Sequence, residues 1–571
     1  MKLLFEGYGY APESIAALLP RPYLQSLSDG TLCTLCVGYF YSAQAGEAVF
    51  ILPKVFLDGQ RLFYGRLTPE YLLEADEQAL AELLASGPGR LLRQLPVWLH
   101  QALVRYRDSV EGRRSVMGER VPVMSYTQPD EYGSLLELCV SIAAFHRRHP
   151  ALLALVTITA ARGKKIRWQR TVAHELPVIT GGMPVYPQTL RLSRRIDYEE
   201  ELLVLYHSTL EYLRVQYGFR YVRESAYPLL RPHEFRHMLS GYGTRYLRSI
   251  RQRYFRDVLV QLWKLLYAFF DLSARIRHAG SYEEVMLSSD FPVVFEAMVD
   301  DLISDDERVV PRFFGEQRDG KRVDHLFRGR DLMQDRDIFY IGDSKYYGAL
   351  SQAQGQAVDK QYTYARNIIQ YNIEALLPGS RRRPPPGVRY RDELTEGYNV
   401  TPNFFIRGVT DSGVSGDEGA GLTDPGVDDL RCSSTGHVQI QRQFTNRLFD
   451  RDTLMVLSYD ISFIFVLRAY ILHDPLLKDA FRSRARELFR RQTVMALNER
   501  YHFYRTAAAG DDGALRTFIA RHYRSLIGKI YHTAGSDELL LALDRTCRDE
   551  NPAILDIFAE AGMPLQPLIL T

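Results

Sequence analysis

The stretch IFYIGDSK, residues 338 to 345, decides the fold expected for this chain. Its apolar run from Ile338 to Gly342 predicts a short buried strand. An acid and a lysine close the strand, and side chains two residues apart on a strand point to the same face. We therefore expect Asp343 and Lys345 to lie side by side at one end of a buried sheet.

Further polar residues lie in the predicted helices and strand before and after this strand. Asp324 lies about twenty residues upstream, between Val323 and an apolar pair, which predicts a second strand. Glu296 lies earlier, in a helical pattern from Phe291 to Ile303, and Lys360 and Gln361 follow in the next helical segment. A helix with Glu, a strand with Asp, a strand with Asp-x-Lys and a helix with Lys or Gln follow one another in this order.

That order resembles the PD-(D/E)xK nuclease superfamily. The resemblance implies that Asp324 and Asp343 bind Mg²⁺, a hard cation that prefers carboxylate oxygens and for which Mn²⁺ can substitute. Lys345 would orient the attacking water or stabilise charge on the phosphate. Glu296 would position a metal-bound water or a second ion, and Gln361 or Lys360 would hold the site or the phosphate. The alternative for Glu296 is an ordinary charge on a helix face.

Length and composition bound the architecture. A chain of 571 residues, 46% hydrophobic and 25% charged, is an ordinary globular chain with room for about three or four domains. Its net charge of +2 gives no overall indication of nucleic-acid binding. We find no signal peptide and no run of apolar residues long enough for a membrane span, which predicts a cytoplasmic protein without a membrane partner. The lone C-x-x-C of Cys33 and Cys36 lacks a second pair for zinc and predicts small buried residues on a strand.

Four regions are predicted, and together they give a multidomain α+β fold. Residues 1–125 are β-rich and then helical, and residues 126–280 form a hairpin and helical region for partner binding. Residues 281–475 form the nuclease domain, with a mixed sheet flanked by helices. Residues 476–571 are expected to be helical.

Basic residues in two segments are candidates for binding DNA phosphates. The first segment is a predicted helix from Tyr242 to Asp257 that carries Arg245 and Arg248 on one side. The second is a proline-rich loop with three consecutive arginines, Arg381, Arg382 and Arg383. Lys360 is a further candidate. Solvated surface is the alternative for each of them.

A third basic segment is a candidate for protein contacts. The strand patterns Val156 to Ala160 and Lys165 to Val172 predict a hairpin with a basic tip. Arg162, Lys164 and Lys165 lie at this tip and could reach a partner, or they could form a solvent-exposed turn.

A wider resemblance joins several of these segments. Residues 49–57, 165–172, 295–299 and 446–454 are together similar to LlaJI-type restriction endonucleases, relatives of the McrC subunit of methylcytosine-restriction systems. The similarity spans most of residues 1 to 475. It implies an endonuclease subunit that works beside a separate McrB-like AAA+ ring hydrolysing GTP or ATP.

The chain itself has no G-x-x-x-x-G-K-S/T phosphate loop, so a motor must come from another chain. The expected function is therefore a Mg²⁺-dependent DNA endonuclease of a restriction or anti-phage system. The alternative is a non-catalytic adaptor that has a nuclease-like core and stimulates a partner NTPase. A third hypothesis is an enzyme of the same fold that acts on RNA or tRNA.

Overall fold

The structure is a computed structural model that describes most of the chain. The residues outside the description are 1, 43–46, 64–66, 76–87, 110–122, 128–134, 151, 153–154, 161–164, 197–199, 218–226, 279–282, 306–322, 334–335, 347–360, 371–386, 411–429, 433–438, 442–443, 508–511 and 535–537.

The described part is a mixed α+β protein. Its strands are β1 Lys2–Phe5, β2 Gln25–Ser26, β3 Leu32–Cys33, β4 Val37–Ser42, β5 Glu47–Leu52, β6 Val123–Thr127, β7 Leu155–Ala160, β8 Lys165–Ile166, β9 Val178–Thr180, β10 Met183–Val185, β11 Arg191–Ile196, β12 Glu283–Ser288, β13 His325–Arg330, β14 Asp337–Lys345, β15 Pro402–Val409, β16 Leu430–Cys432, β17 Gln439–Gln441, β18 Leu454–Ser462, β19 Tyr501–Ala507, β20 Ile530–Thr533, β21 Glu538–Asp544 and β22 Gln566–Leu568. Its α-helices are α1 Pro12–Ile15, α2 Pro69–Glu74, α3 Pro88–Asp108, α4 Leu135–Arg148, α5 Trp168–His174, α6 Glu201–Tyr217, α7 Pro232–His237, α8 Gly243–Ile250, α9 Asp257–His278, α10 Phe291–Ile303, α11 Phe463–Leu472, α12 Pro475–Arg500, α13 Asp512–Leu526 and α14 Asn551–Glu560. Residues 361–370 are also helical.

The N-terminal sheet has the strand order β1-β5-β4-β12-β6. Strands β4 and β5 pair antiparallel, as the alternating sequence on both sides of residues 43–46 predicts, and β1 adds parallel to β5. Strand β12 pairs with β4 and β6, although it falls inside the block assigned to the nuclease domain. The N-terminal sheet is therefore completed by a strand from residues 283–288.

The predicted hairpin at residues 156–172 is wrong. Strands β7 and β8 are not neighbours, since β11 lies between them and pairs antiparallel with each. Strand β8 is only two residues long, and α5 begins at Trp168. The alternation in residues 165–172 was too short to distinguish a strand from an amphipathic helix.

The predicted basic helix from Tyr242 to Asp257 is also interrupted. Gly241, just before this segment, has φ 104, a left-handed conformation that favours glycine, and marks a kink in the helical backbone. Helix α8 then ends at Ile250 and is followed by a 3-10 turn, Arg251–Arg253. The arginines of this segment therefore do not follow one continuous helix face.

The central sheet has the strand order β13-β14-β15-β18-β16, and β17 also pairs with β18. Strands β13 and β14 are antiparallel, whereas β14, β15 and β18 run parallel. Helix α10 spans the residues predicted for it and buries Phe295, Met298 and Leu302 at helical spacing. The mixed sheet and this helix position the candidate site.

The outer hydrogen-bonding groups of β13 are satisfied by the residues that follow α10. Leu326 N–H donates to Ser304 Oγ over 3.3 Å, Asp305 N–H donates to the Leu326 carbonyl over 3.3 Å, and Arg328 N–H donates to Asp305 Oδ2 over 2.8 Å. Arg486 of α12 holds this segment by donating to Asp305 Oδ1 over 2.7 Å. Helix α10 and strand β13 are thus joined along the strand.

The prediction that residues 476–571 are helical is wrong. Helix α12 is followed by a four-stranded antiparallel sheet of order β20-β21-β19-β22, with α13 and α14. The run from Leu539 to Leu543 is buried throughout. A short run that is apolar on both faces fits a buried strand as well as a helix, so periodicity alone could not identify it.

Candidate functional site

The register of β13 and β14 brings Asp324 and Asp343 together. His325 pairs with Gly342, so Asp324, one residue before, stands opposite Asp343, one residue after. Residues directly opposite in an antiparallel pair have Cβ atoms about 4.5–5.5 Å apart. The two carboxyl groups are close enough for Asp343 to affect the pKa of Asp324, and Ser344 N–H donates to Asp324 Oδ2 over 3.3 Å.

The surroundings of this pair disfavour two charged carboxylates. Asp343 is only 2% exposed. Burial raises the pKa of Asp324 well above its usual range, and the nearby carboxylates of Asp343 and Glu296 raise it further. A pair of this kind is stabilised either by a shared proton or by a cation.

Lys345 lies where the strand alternation predicts. Its Nζ forms a direct ion pair with Asp343 Oδ2 and stands 5.4 Å from the centre of the Phe405 ring. Two carboxyl groups and one lysine therefore meet at the end of β14, with Lys345 as the partner of Asp343 Oδ2.

Two residues from neighbouring helices complete the predicted set. Glu296 of α10 is half-buried and lies close enough to Asp324 to affect its pKa. Gln361 is buried, and its Nε2 donates to the Ile341 carbonyl over 2.9 Å. Gln361 thus supports the backbone of β14 two residues before Asp343.

Sequence reasoning missed a polar chain on the other face of β14. Buried His325 contacts Ser344 Oγ through Nε2, and its Nδ1 lies 3.3 Å from Asp300 Oδ1 on α10. The only sequence signal is that Asp300 follows Glu296 by four residues, on the same side of the helix. This chain fixes Ser344, whose N–H contacts Asp324.

Of the predicted DNA-binding residues, only Arg245 and Arg248 are within the described part of the chain. Arg245 is exposed on α8, whereas Arg248 Nε donates to Tyr267 Oη over 2.9 Å. Lys360, Arg381, Arg382 and Arg383 lie outside the described residues.

The predicted partner-binding tip is described only at its end. Lys165 is exposed, while Arg162 and Lys164 lie outside the described residues. The segment that follows exposes an unusual number of large apolar side chains, from 51% at Val185 to 89% at Leu176: Trp168, Val172, Leu176, Val178, Ile179, Met183 and Val185. Exposed apolar surface of this extent is typical of a protein-interaction site.

The carboxylate pair can be compared with what Mg²⁺ requires. In the described part of the chain, no three His, Cys, Asp or Glu side chains are arranged to hold a metal ion. The oxygens of Asp324 and Asp343 nevertheless suit a hard cation, which takes the rest of its shell from water. Burial and the neighbouring carboxylates raise the pKa of Asp324, and a bound cation would relieve this cost of holding the carboxylates together. The residues present therefore fit a divalent cation with two protein carboxylates.

The fold and the site together define a mixed α+β protein with a buried acid pair and a lysine at the end of a central strand. Comparison with protein-family models, with curated proteins and with solved structures found no match to this chain. None of the helices in the described ranges is long and apolar enough to cross a membrane.

Proposed function

We propose that this chain is the Mg²⁺-dependent DNA endonuclease subunit of a restriction or anti-phage system. The observation that supports the proposal best is the cross-strand pair of Asp324 and Asp343 with Lys345 on the same strand face. The order of Glu296, Asp324, Asp343, Lys345 and Gln361 is that of the PD-(D/E)xK nucleases, which the sequence resembles.

Each residue has a distinct part in phosphodiester hydrolysis. Asp324 and Asp343 would hold Mg²⁺, which when bound supplies a hydroxide near neutral pH and neutralises phosphate charge. Lys345 would turn from Asp343 towards the phosphate and stabilise the charge that develops there. Glu296 would accept a hydrogen bond from the attacking water, and Gln361 would keep β14 in position.

We also propose that cleavage depends on a separate NTP-hydrolysing ring of the McrB type. The absence of a phosphate loop in the sequence and the exposed apolar residues between Trp168 and Val185 support a partner protein. Lys165 and Arg170 add positive charge to this surface. The complementary surface on the partner is therefore an apolar patch with an acidic rim.

The second candidate is an adaptor that stimulates a partner NTPase without cutting DNA. It is favoured by the ion pair between Lys345 and Asp343, which neutralises the site internally, and by the lack of a third acidic ligand among the described side chains. The two candidates differ in whether the acid pair is needed for a chemical step.

The test is plasmid cleavage by the chain purified with the protein encoded beside it, in Mg²⁺ and nucleotide. Asp343→Ala and Lys345→Ala should each abolish cleavage, because the first removes a metal ligand and the second a charge that acts on the phosphate. Mn²⁺ should replace Mg²⁺, and EDTA should stop the reaction.

Asp337→Ala is the matched control. Asp337 begins the same strand and pairs with Arg328, with 2.7 Å between Asp337 Oδ2 and Arg328 Nε, but it lies at the far end from the site. This variant should cut as the wild type does. Undiminished cleavage by Asp343→Ala, or full cleavage in EDTA, would refute the nuclease proposal, and nucleotide hydrolysis stimulated equally by all variants without cleavage would favour the adaptor.

A further inference from the structure

The residue after Lys345 joins the central sheet to the N-terminal sheet. Tyr346 is buried, and its ring centre lies 5.4 Å from that of Phe291 and 5.9 Å from that of Phe295, both on α10. Its hydroxyl donates a hydrogen bond of 2.6 Å to Glu6 Oε2. A bond across 340 positions of sequence thus ends at the neighbour of the proposed catalytic lysine.

Glu6 is itself held firmly in the N-terminal sheet. It directly follows β1, and its N–H donates to the Leu52 carbonyl over 2.9 Å. Its Oε2 also accepts from Lys54 N–H over 3.3 Å, and Lys54 Nζ lies 3.9 Å from Oε1 and 5.3 Å from the centre of the Tyr346 ring. Tyr346 therefore contacts both Glu6 and Lys54, which follow β1 and β5 of the N-terminal sheet.

The contact is energetically substantial. Burial raises the pKa of Glu6, because a charged carboxylate loses its hydration there. Hydrogen bonds to a charged group are stronger than those between neutral groups, and a buried acceptor that loses its donor keeps the full desolvation cost. Loss of the Tyr346 hydroxyl should therefore loosen this end of β14 and its attachment to the N-terminal sheet.

We infer that Glu6 and Tyr346 are positioning residues that let the N-terminal sheet set the geometry of Lys345. Successive side chains on a strand point to opposite faces, so Tyr346, fixed on one side, fixes the backbone from which Lys345 projects on the other. The N-terminal sheet then belongs to the catalytic unit, and a protein that binds the N-terminal region can act on the site through this bond. This inference rests on the proposed nuclease function for its catalytic consequence only.

The test compares Tyr346→Phe with Tyr340→Phe. Tyr340 lies within β14, six residues before Tyr346, and is also buried, but its hydroxyl donates over 2.9 Å to the Arg330 carbonyl within the central sheet. Tyr346→Phe should lower the kcat for DNA cleavage about tenfold with an unchanged KM, since about 1.4 kcal/mol of positioning corresponds to tenfold in rate. Tyr340→Phe should leave kcat within about twofold of the wild type, because its bond does not reach the site.

Glu6 provides a rescue experiment. Glu6→Ala should reproduce the loss of Tyr346→Phe, whereas Glu6→Gln keeps a side-chain oxygen that can accept from Tyr346 and should retain most of the rate. If Glu6 and Tyr346 had a purely structural role, the loss of cleavage rate in each variant would follow its loss of unfolding free energy. It would not depend on whether the hydrogen bond between Glu6 and Tyr346 is kept.

Amide hydrogen exchange of residues 337–346 gives a readout that does not depend on cleavage. Tyr346→Phe and Glu6→Ala should increase exchange at the Lys345 end of β14, while Tyr340→Phe should not. Equal exchange in all variants would overturn the inference whether or not the chain cuts DNA. A wild-type chain that shows this exchange pattern but no Mg²⁺-dependent cleavage would overturn the proposed function and leave the inferred linkage standing.

Discussion

Replacing Asp324 with Asn should make the protein more stable while it abolishes cleavage. Asp324 faces Asp343 across the strands, with Glu296 nearby. Two unit charges about 5 Å apart repel by roughly 3 kcal/mol at an effective dielectric constant of about 20. Lys345 offsets part of this repulsion by its ion pair with Asp343, so we expect Asp324→Asn to raise the free energy of unfolding by about 1–3 kcal/mol at pH 7 without divalent cations.

The pH dependence of the unfolding free energy gives the direction of the stability change independently. The pKa of Asp324 in the folded chain is raised above its unfolded value, so the folded state binds a proton more tightly. Wild-type stability then falls as the pH rises from the unfolded pKa, about 3.9, through the folded pKa, and is constant above it. The advantage of Asp324→Asn should therefore grow as the pH rises through the folded pKa of Asp324 and disappear as the pH falls towards about 3.9.

Thermal unfolding in EDTA and in Mg²⁺ or Ca²⁺ measures both effects. In EDTA the variant should melt a few degrees above the wild type, given about 2–4 °C per kcal/mol for a unit of 150–250 residues. Divalent cations should raise the melting temperature of the wild type and much less that of the variant, because ligand binding stabilises only a state that binds it. Asp337→Asn, which leaves the acid pair intact, should show no gain in EDTA. A lower melting temperature for Asp324→Asn in EDTA would refute this reasoning about charge repulsion.

Three further perturbations test other parts of the structure. Gly342→Ala should lower the unfolding free energy by about 1–3 kcal/mol and reduce cleavage, because an added Cβ would stand 2.1 Å from the Phe404 ring and displace β14. Chemical denaturation measures the stability, and a plasmid assay measures the cleavage. Gln361→Ala should lower kcat more than it changes KM, because it leaves the Ile341 carbonyl near the site without its donor and removes no DNA contact. Steady-state cleavage kinetics measure both constants, and a change in KM alone would contradict the prediction. Leu176→Ser should leave the melting temperature unchanged but weaken binding of the NTPase partner, since this side chain is 89% exposed; calorimetric titration measures the affinity, and unaltered binding would count against this surface.

The elements with strong periodic patterns could be predicted from the sequence. Helix α10 has the predicted bounds because its apolar residues recur at helical spacing and Pro292 stands in its first turn. Strand β14 follows from a continuous apolar run between polar turns, and the strand period places Asp343 and Lys345 on one face.

The remaining features depend on contacts between distant parts of the chain. Nothing in the sequence near Asp324 fixes the register that sets it opposite Asp343, because register depends on how whole strands pack. The attachment of Tyr346 to Glu6 and the partnership of Arg248 with Tyr267 have no local signature either. Strand β21 was missed since Leu539 to Leu543 is apolar on both faces.

The bonds from Ser304 and Asp305 to β13 bear on how copies of this protein behave together. An outer strand with free amides and carbonyls is a template for a strand from another molecule, and such pairing leads to aggregation. Here Leu326 and Arg328 already have their partners within the chain, so a second copy meets occupied groups at the strand that begins beside Asp324. Replacing Arg486, which holds Asp305 in place, would expose that strand, and the damage would be expected first as self-association at high protein concentration.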